Sequence, residues 1–290
     1  MAGIVGVASG TFGYGTEYKG LVDYSKIGAI FTKAVTPSPR VGNPSPRLVE
    51  TPSGLINSIG LANVGVEVFL KEKLPSIALL GPSIVVNVAG SLEEDYYEVV
   101  ERLEGQDGIW GYELNISCPN VKHGGLAFGT EPEMVEKLTR GLRDRTKKPL
   151  IVKLTPNVTD IGIIAMAAEA GGADALTCIN TLKGMVIDIK RKKTVLVAGT
   201  GGLSGPSILP VGVAAAYRAK RSVKIPIIGL GGIQKPEDAI QYLLAGCSAV
   251  QVGTFTFIDP RTAEKVNDGI LAYAQTHGLN SVEDFHQFIS

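Results

Sequence analysis

Eight short apolar runs, all but the first followed by a stretch of helical periodicity, recur along this chain of 290 residues. The runs lie at residues 4–8, 29–35, 83–88, 108–116, 150–154, 173–179, 225–229 and 249–252. Helical windows fall at 64–73, 92–103, 131–147, 160–170, 206–221, 236–245 and 260–276. Short β-rich runs alternating with amphipathic helices imply parallel strands joined by helical crossovers. Eight such units imply a closed barrel, for which roughly 250 residues is a common size. The predicted fold is therefore α/β, a (β/α)8 TIM barrel with loop excursions at the C-terminal ends of its strands. No internal repeat, low-complexity tract or linker interrupts the pattern, so a single domain is expected over 1–290. Punctuation supports the segmentation: Thr159-Asp160, Ser204 and Lys235-Pro236 stand where helices should start, and Gly171, Gly172 and Gly246 where they should stop.

Two connections exceed the minimum length. Residues 36–62 hold five of the sixteen prolines, and residues 180–204 contain an alternating VIDIKRKKTVLVA segment that reads as a β-hairpin. Long excursions from a barrel are usually lids or binding loops. The basic run at 190–193 reads as a solvated turn, because no aromatics are interleaved with it to stack on bases. Lys+Arg and Asp+Glu both number 28, so no broad basic face for nucleic acid or anionic lipid is expected, and a small neutral-to-anionic substrate fits better. Cys118, Cys178 and Cys247 lie far apart with no CxxC or Cys/His spacing, which argues against zinc or an iron–sulfur cluster held by this chain. An odd number of scattered thiols suits a reducing cytoplasm. The first residues, MAGIVGVASG, lack a charged segment followed by a signal-length apolar core, and Pro82 breaks the apolar stretch 77–89. A soluble cytoplasmic protein is expected, with no membrane partner.

In an eight-stranded barrel the active site lies at the C-terminal ends of the strands. Those positions are Ser9, Lys33, Asn87, Asn115, Lys153, Asn180, Gly231 and Gly253, polar or glycine where apolar packing would otherwise continue. Lysine is rarely interior unless paired or used. Lys33 and Lys153 pointing into one mouth admit a Schiff-base lysine or a pair of cations beside an anionic cofactor or substrate. The glycine pair 231–232 and the Gly253-Thr254 step end the seventh and eighth runs, where barrels turn backbone N–H groups toward phosphate. TGGLSGP, at 200–206, supplies another permissive backbone. No strand–GxGxxG–helix unit with a downstream acidic residue is present, which makes a nicotinamide dinucleotide site in this chain an unfavoured reading.

The segment ELNISCPNVKHGGLAFGT, 113–130, begins as a strand and passes into a loop broken by Pro119 and by glycines. Cysteine is by base rate a small buried hydrophobe. Cys118, however, sits among polar and loop-forming residues, with asparagines at 115 and 120 and His123 close by, the partly exposed setting thiol chemistry needs. Cys178 and Cys247 read as core, and His123 as a residue that positions its loop.

This loop resembles, almost letter for letter, the active-site loop of the class 1 dihydroorotate dehydrogenases, and its NVKHGG continuation is similar to subclass 1B. ASGTFGYGTEY, NPSPR, ETPSGLINSIGLANVG, NVAGS, VKLTPNVTDI, INTLKG, TGGLSGP and IIGLGGI extend the resemblance over nearly the whole chain. It implies a barrel with FMN at the mouth, contacting Ser9, Lys33, Ala34, Asn87, Asn115, Lys153, Ile179, Gly205, Gly231, Gly232, Gly253 and Thr254. It implies substrate contacts at Lys33, Asn57, Ser58, Ile59, Gly60, Leu61, Asn115, Asn180 and Thr181, and Cys118 as the base for the C5 proton of dihydroorotate. Asparagines suit that ring, because each offers a donor and an acceptor on one short side chain. The resemblance further implies no metal on this chain, a homodimer at the centre of a heterotetramer, and an iron–sulfur flavoprotein partner whose FAD and [2Fe–2S] cluster relay electrons to NAD. Such enzymes serve pyrimidine (UMP) biosynthesis.

One departure stands out: family members carry a short β-hairpin before the first strand, whereas here that strand is reached by Ile4. Other readings are a dihydropyrimidine dehydrogenase chain, whose loop diverges after SCP, and a fumarate-dependent class 1A enzyme. Class 2 enzymes use a serine base and an N-terminal amphipathic segment, which are missing from this pattern. Outside redox chemistry, a Schiff-base aldolase barrel or a phosphate-ligand-binding barrel remains the competing class.

Overall fold

Successive side chains of a strand point to opposite faces, so closing a sheet sends one set of residues into the lumen and the other toward the surrounding helices. In the computed structural model, which describes residues 3–117 and 128–288, eight parallel strands close in this way. They are β1 (Val5–Val7), β2 (Ala29–Phe31), β3 (Ser83–Val88), β4 (Gly111–Asn115), β5 (Leu150–Leu154), β6 (Ala175–Cys178), β7 (Ile227–Leu230) and β8 (Ala249–Val252). Each pairs with its chain neighbour, and β8 returns to β1 with Val5 opposite Val250. The (β/α)8 barrel expected from the alternation is the observed architecture. β3, β5 and β8 match the expected runs residue for residue, whereas β2 stops at Phe31, before Thr32 and Lys33, although the expected run extends to Val35.

The helices keep their predicted places with small shifts. The crossover from β2 to β3 is one continuous helical stretch, Gly65–Val68, Phe69–Lys73 and Leu74–Ile77, whose middle section is wound as a π-helix. The others are Glu93–Leu103, Pro132–Arg143, Ile161–Ala170, Leu209–Lys220, Pro236–Leu244 and Thr262–His277. The Asp160 carboxylate caps its helix by accepting from the Gly162 N–H, as its position predicts. Ser204, expected as a cap, instead ends a strand, and Gly205 at φ 99° leads into the next helical turn.

Apolar residues outside the barrel, among them Val86, Val88, Tyr112, Leu114, Val152, Leu154, Leu176 and Val252, form an annular core with the helices. Burying each such side chain contributes about 1.5–3 kcal/mol. Phe31, Val85 and Ile151 form a second, smaller cluster inside the lumen, with Ala29, Ala175 and Ile228 against it.

The two long excursions meet. Leu48–Thr51 and Gly54–Asn57 form a hairpin, and Gly54–Asn57 pairs with Gly201–Ser204, which pairs with Leu182–Gly184. The result is a four-stranded antiparallel sheet built from connections after β2 and after β6. The hairpin anticipated in 180–204 is present as two short strands, Ile187–Asp188 and Lys193–Thr194, and the basic run turns between them in solvent.

Candidate active site

The C-terminal ends of the strands converge on one mouth. Ser9 and Thr11 follow β1, Lys33 and Ala34 follow β2, Asn87 lies near the end of β3, Asn115 ends β4 and Lys153 lies near the end of β5. Ile179, Asn180 and Thr181 follow β6, Gly231 and Gly232 follow β7, and Gly253 and Thr254 follow β8. A cleft there encloses about 560 Å³ of free space open to solvent. Ser9, Lys153, Ile179, Gly205, Gly231, Gly232, Gly253 and Thr254 all line it, together with Asn180. The other expected cofactor residues, Lys33, Ala34, Asn87 and Asn115, stand on the neighbouring strand ends without lining this cleft. At the opposite end of the lumen a larger space of about 1230 Å³ is lined chiefly by apolar residues. Size does not mark the site. Ligand sites need a few convergent polar groups, and those are at the mouth.

Backbone shape makes the cleft. Gly231 and Gly232 have φ of 127° and 76°, a region L side chains rarely enter. A Cβ at Gly232 would also come within 2.7 Å of the Leu209 backbone nitrogen. These glycines keep the wall thin beside the helix that starts at Leu209.

The amide cluster expected for substrate is assembled by hydrogen bonds. Asn180 Nδ2 donates to Asn115 Oδ1 at 3.3 Å and to Ser117 Oγ at 2.9 Å, while its Oδ1 accepts from the Thr181 N–H at 2.9 Å. Asn57 Nδ2 donates to the Gly202 carbonyl at 3.2 Å, tying the hairpin to its partner strand. Asn43 Nδ2 donates to the Ser58 carbonyl and hydroxyl at 3.0 and 2.8 Å, and Asn63 Nδ2 to the Leu61 carbonyl at 2.7 Å. Leu61, at φ 56°, packs on Ala34 and Ala89, so the 57–61 loop rests against the end of β2.

Lys33 is half-buried, and its backbone N–H donates to the Gly13 carbonyl at 2.7 Å. Burial, with a smaller contribution from the nearby Arg47 guanidinium, moves its ammonium pKa down, and Glu17 opposes the shift. Arg47 is a cation of this region that strand-end reasoning did not single out. Lys153 is 4 % exposed, its Nζ 3.6 Å from Glu113 Oε1. Glu113 itself is wholly buried in the lumen, with Asn87, Thr177 and Gln251 around it. None of Glu113, Thr177 and Gln251 was among the expected site residues.

Cys118 and His123 lie outside the described residues. Cys178 and Cys247 are both fully buried; burial pushes the Cys178 thiol up to about 12 and the Cys247 thiol well above its ordinary value. Neither can supply a thiolate near neutrality.

A closed parallel barrel whose C-terminal mouth gathers a buried ammonium, an amide cluster and a glycine-walled cleft defines a (β/α)8-barrel enzyme. The model of the dihydroorotate dehydrogenase family matches residues 1–273, and the chain belongs to that family. The chain is 50 % identical over 277 residues to the dihydroorotate dehydrogenase B (NAD(+)) catalytic subunit of Pelobacter propionicus, covering 96 % of this chain and 91 % of that one. It is 48 % identical to the protein of the same name from Listeria welshimeri, with the same coverage. Among solved structures, a dihydroorotate dehydrogenase from Eimeria tenella superposes with a TM-score of 0.79 at 24 % identity, over 97 % of this chain and 84 % of that one, a likeness of fold.

Proposed function

We propose that this chain is the catalytic subunit of a class 1B dihydroorotate dehydrogenase, a single-domain cytoplasmic enzyme that oxidises dihydroorotate to orotate in pyrimidine biosynthesis. The observation that carries the reading is the pairing, in one mouth, of a buried lysine on β5 with the Asn115–Asn180 amide cluster. Curated relatives named as NAD(+)-linked catalytic subunits support it over the fumarate-dependent and dihydropyrimidine alternatives. The family implies a flavin, and FMN is the form proposed.

The residues present suit such a group. Asn87 Oδ1 is a buried acceptor without a hydrogen-bond partner among the described residues, which a ring N–H would satisfy. The Gly231-Gly232 wall admits a ligand where a Cβ could not stand. Ser9, Ala34, Ile179, Gly205, Gly253 and Thr254 would complete the cofactor's surroundings. When bound, FMN supplies the acceptor for the hydride leaving substrate C6. Lys153 presents positive charge toward the cleft. Lys33 serves the substrate carboxylate, and Asn57, Ser58, Ile59, Gly60, Leu61, Asn115, Asn180 and Thr181 orient the ring through donors and acceptors on fixed backbone. Cys118 takes the C5 proton, a role that rests on the family resemblance of its loop.

Electrons must then leave the barrel. Relatives named as catalytic subunits imply a second subunit, here proposed to carry FAD and a [2Fe–2S] cluster and to hand electrons to NAD, with two copies of each chain in a heterotetramer. Mixing FMN-loaded protein with dihydroorotate without oxygen is expected to bleach the flavin absorbance. Protein that fails to bind FMN, or flavin that stays oxidised, would overturn the reading. The isolated chain should reduce artificial dyes but reduce NAD only after the partner is added; efficient NAD reduction by the chain alone would remove the partner from the scheme, and rapid turnover with fumarate would reassign the subclass.

A further inference from the structure

Beneath the mouth, residues from four strands converge on a carboxylate carried by a fifth. Glu113, on β4, is wholly buried in the lumen. Its Oε1 accepts from Asn87 Nδ2 on β3 at 2.7 Å and lies 3.6 Å from Lys153 Nζ on β5. Its Oε2 accepts from Thr177 Oγ1 on β6 at 2.9 Å and from Gln251 Nε2 on β8 at 3.2 Å. Gln251 Nε2 also sits 3.3 Å from Thr177 Oγ1.

Stability alone does not account for this layer. Withdrawing two charges from water costs several kcal/mol per ion, and well-packed apolar residues in place of a buried ion pair are often neutral or stabilising. The lumen one layer below is in fact filled by Phe31, Val85 and Ile151. Glu113 forms the ion pair that Lys153 makes among the described residues, and Lys153 is the charged group that lines the cleft. The other side chains around Glu113 are neutral donors that hold the carboxylate in place, so its position is fixed by the barrel and the lysine's position is fixed by it.

We propose that Glu113 is a positioning residue: it anchors the Lys153 ammonium at the base of the cleft and offsets part of its charge, thereby setting how readily the bound flavin accepts electrons. The inference rests on the reading of FMN at this mouth. The lysine favours the gain of electrons by a ring above it, and an ammonium pinned to the carboxylate and held back from that ring favours it less. Glu113 therefore holds the flavin's midpoint potential below the value Lys153 alone would give.

The test uses the FMN-loaded chain, with flavin content and thermal unfolding recorded first, so that loss of FMN by the parent protein would count against the cofactor reading and not against Glu113. Glu113→Gln keeps the shape and removes the charge; its flavin midpoint should move to a more positive value, by about tenfold in the redox equilibrium, or about 30 mV for a two-electron couple. Lys153→Ala should move it the other way. In the Lys153→Ala background, Glu113→Gln should produce a clearly smaller shift than it does alone, since residues acting through one another are not additive. Glu113→Asp, which keeps the charge but withdraws it from the lysine, should shift the midpoint in the same direction as Gln by less, and it carries the test if the Gln variant does not fold. A folded, flavin-loaded variant with the parent's midpoint would reduce Glu113 to a structural part. A full-sized Glu113→Gln shift in the absence of Lys153 would show that it does not act through the lysine.

Discussion

Near the floor of the barrel, Phe31, Val85, Ile151 and Ala175 fill the lumen; two residues further along stand Asn87, Lys153 and Thr177 on the same strands and Lys33 just past the end of β2. The period of a strand makes each pair share a face, so one set of strands carries an apolar layer at one end and a polar layer at the other. The floor contributes ordinary hydrophobic stabilisation. The mouth does the opposite, holding an ion pair, two buried acceptors without partners among the described residues, Asn87 Oδ1 and Gln251 Oε1, and glycines in strained-for-others geometry. Groups of that kind lower stability and are retained where a ligand completes them. The comparison predicts that substitutions at the two ends fail in different ways.

The largest effect should come from Cys118→Ala, at the proposed base: flavin content and melting temperature stay near the parent's while the rate of flavin reduction by dihydroorotate falls by roughly 10²–10⁴, as removal of a general base does. Rapid-mixing kinetics with an unchanged rate would detach this cysteine from the chemistry. At the floor, Phe31→Ala should reduce unfolding free energy by about 3 kcal/mol or more in urea titrations, yet leave reduction per bound flavin intact. A variant that kept its stability and lost its rate would break the division between the two ends. Gly232→Ala should lower FMN affinity by at least about tenfold, or 1.4 kcal/mol, through the clash with the Leu209 backbone, measured by fluorescence titration of apoprotein.

The smallest effect is expected at Lys33. Burial, then Arg47, depresses its pKa, so the positive charge is lost at lower pH than for a free lysine near about 10.4. The KM for dihydroorotate should therefore rise on the alkaline side before the ordinary lysine range is reached. For stability the sign is reversed from a paired group. The unfolded chain holds this proton more tightly than the folded one, so Lys33 disfavours folding below its folded-state pKa, and that penalty is relieved as pH rises through the window up to the unfolded value. Lys33→Met should consequently melt at slightly higher temperature at neutral pH while binding substrate worse; a lower melting point would show that the charge is stabilising after all.

Much of this was readable from residue order. Apolar runs located all eight strands because the annular core demands them, and strand-end positions located Lys153, Asn180, Gly231 and Gly253 because closure brings every C-terminal end to one mouth. Glu113 escaped notice for a physical reason. In the run Tyr112–Leu114 it reads as the polar phase of a half-buried strand, and alternation alone does not say which face is solvent. Here the apolar phase meets helices and the polar phase meets the lumen, so a residue that looks exposed is wholly buried. The pairing of Gly54–Asn57 with Gly201–Ser204 was equally hidden, since glycine-rich sequence carries little strand signal and the partner lies in another excursion. The Cys118 loop lies outside the described residues, so its reading rests on its polar neighbours in the sequence and on the resemblance.

That antiparallel sheet has a consequence for assembly. Asn57 and Gly202 are separated by 145 positions in the chain, yet they are joined by a side-chain hydrogen bond and stand opposite each other in the register. Bringing such distant segments together carries a loop-closure penalty, and contacts between remote segments slow folding. Neighbouring barrel strands such as β3 and β4 are far closer in sequence. Pulse-labelled hydrogen exchange should thus find the amides of Val86 and Leu114 protected before those of Ile56 and Leu203. The loop proposed to bind substrate would take shape last, on a scaffold already built.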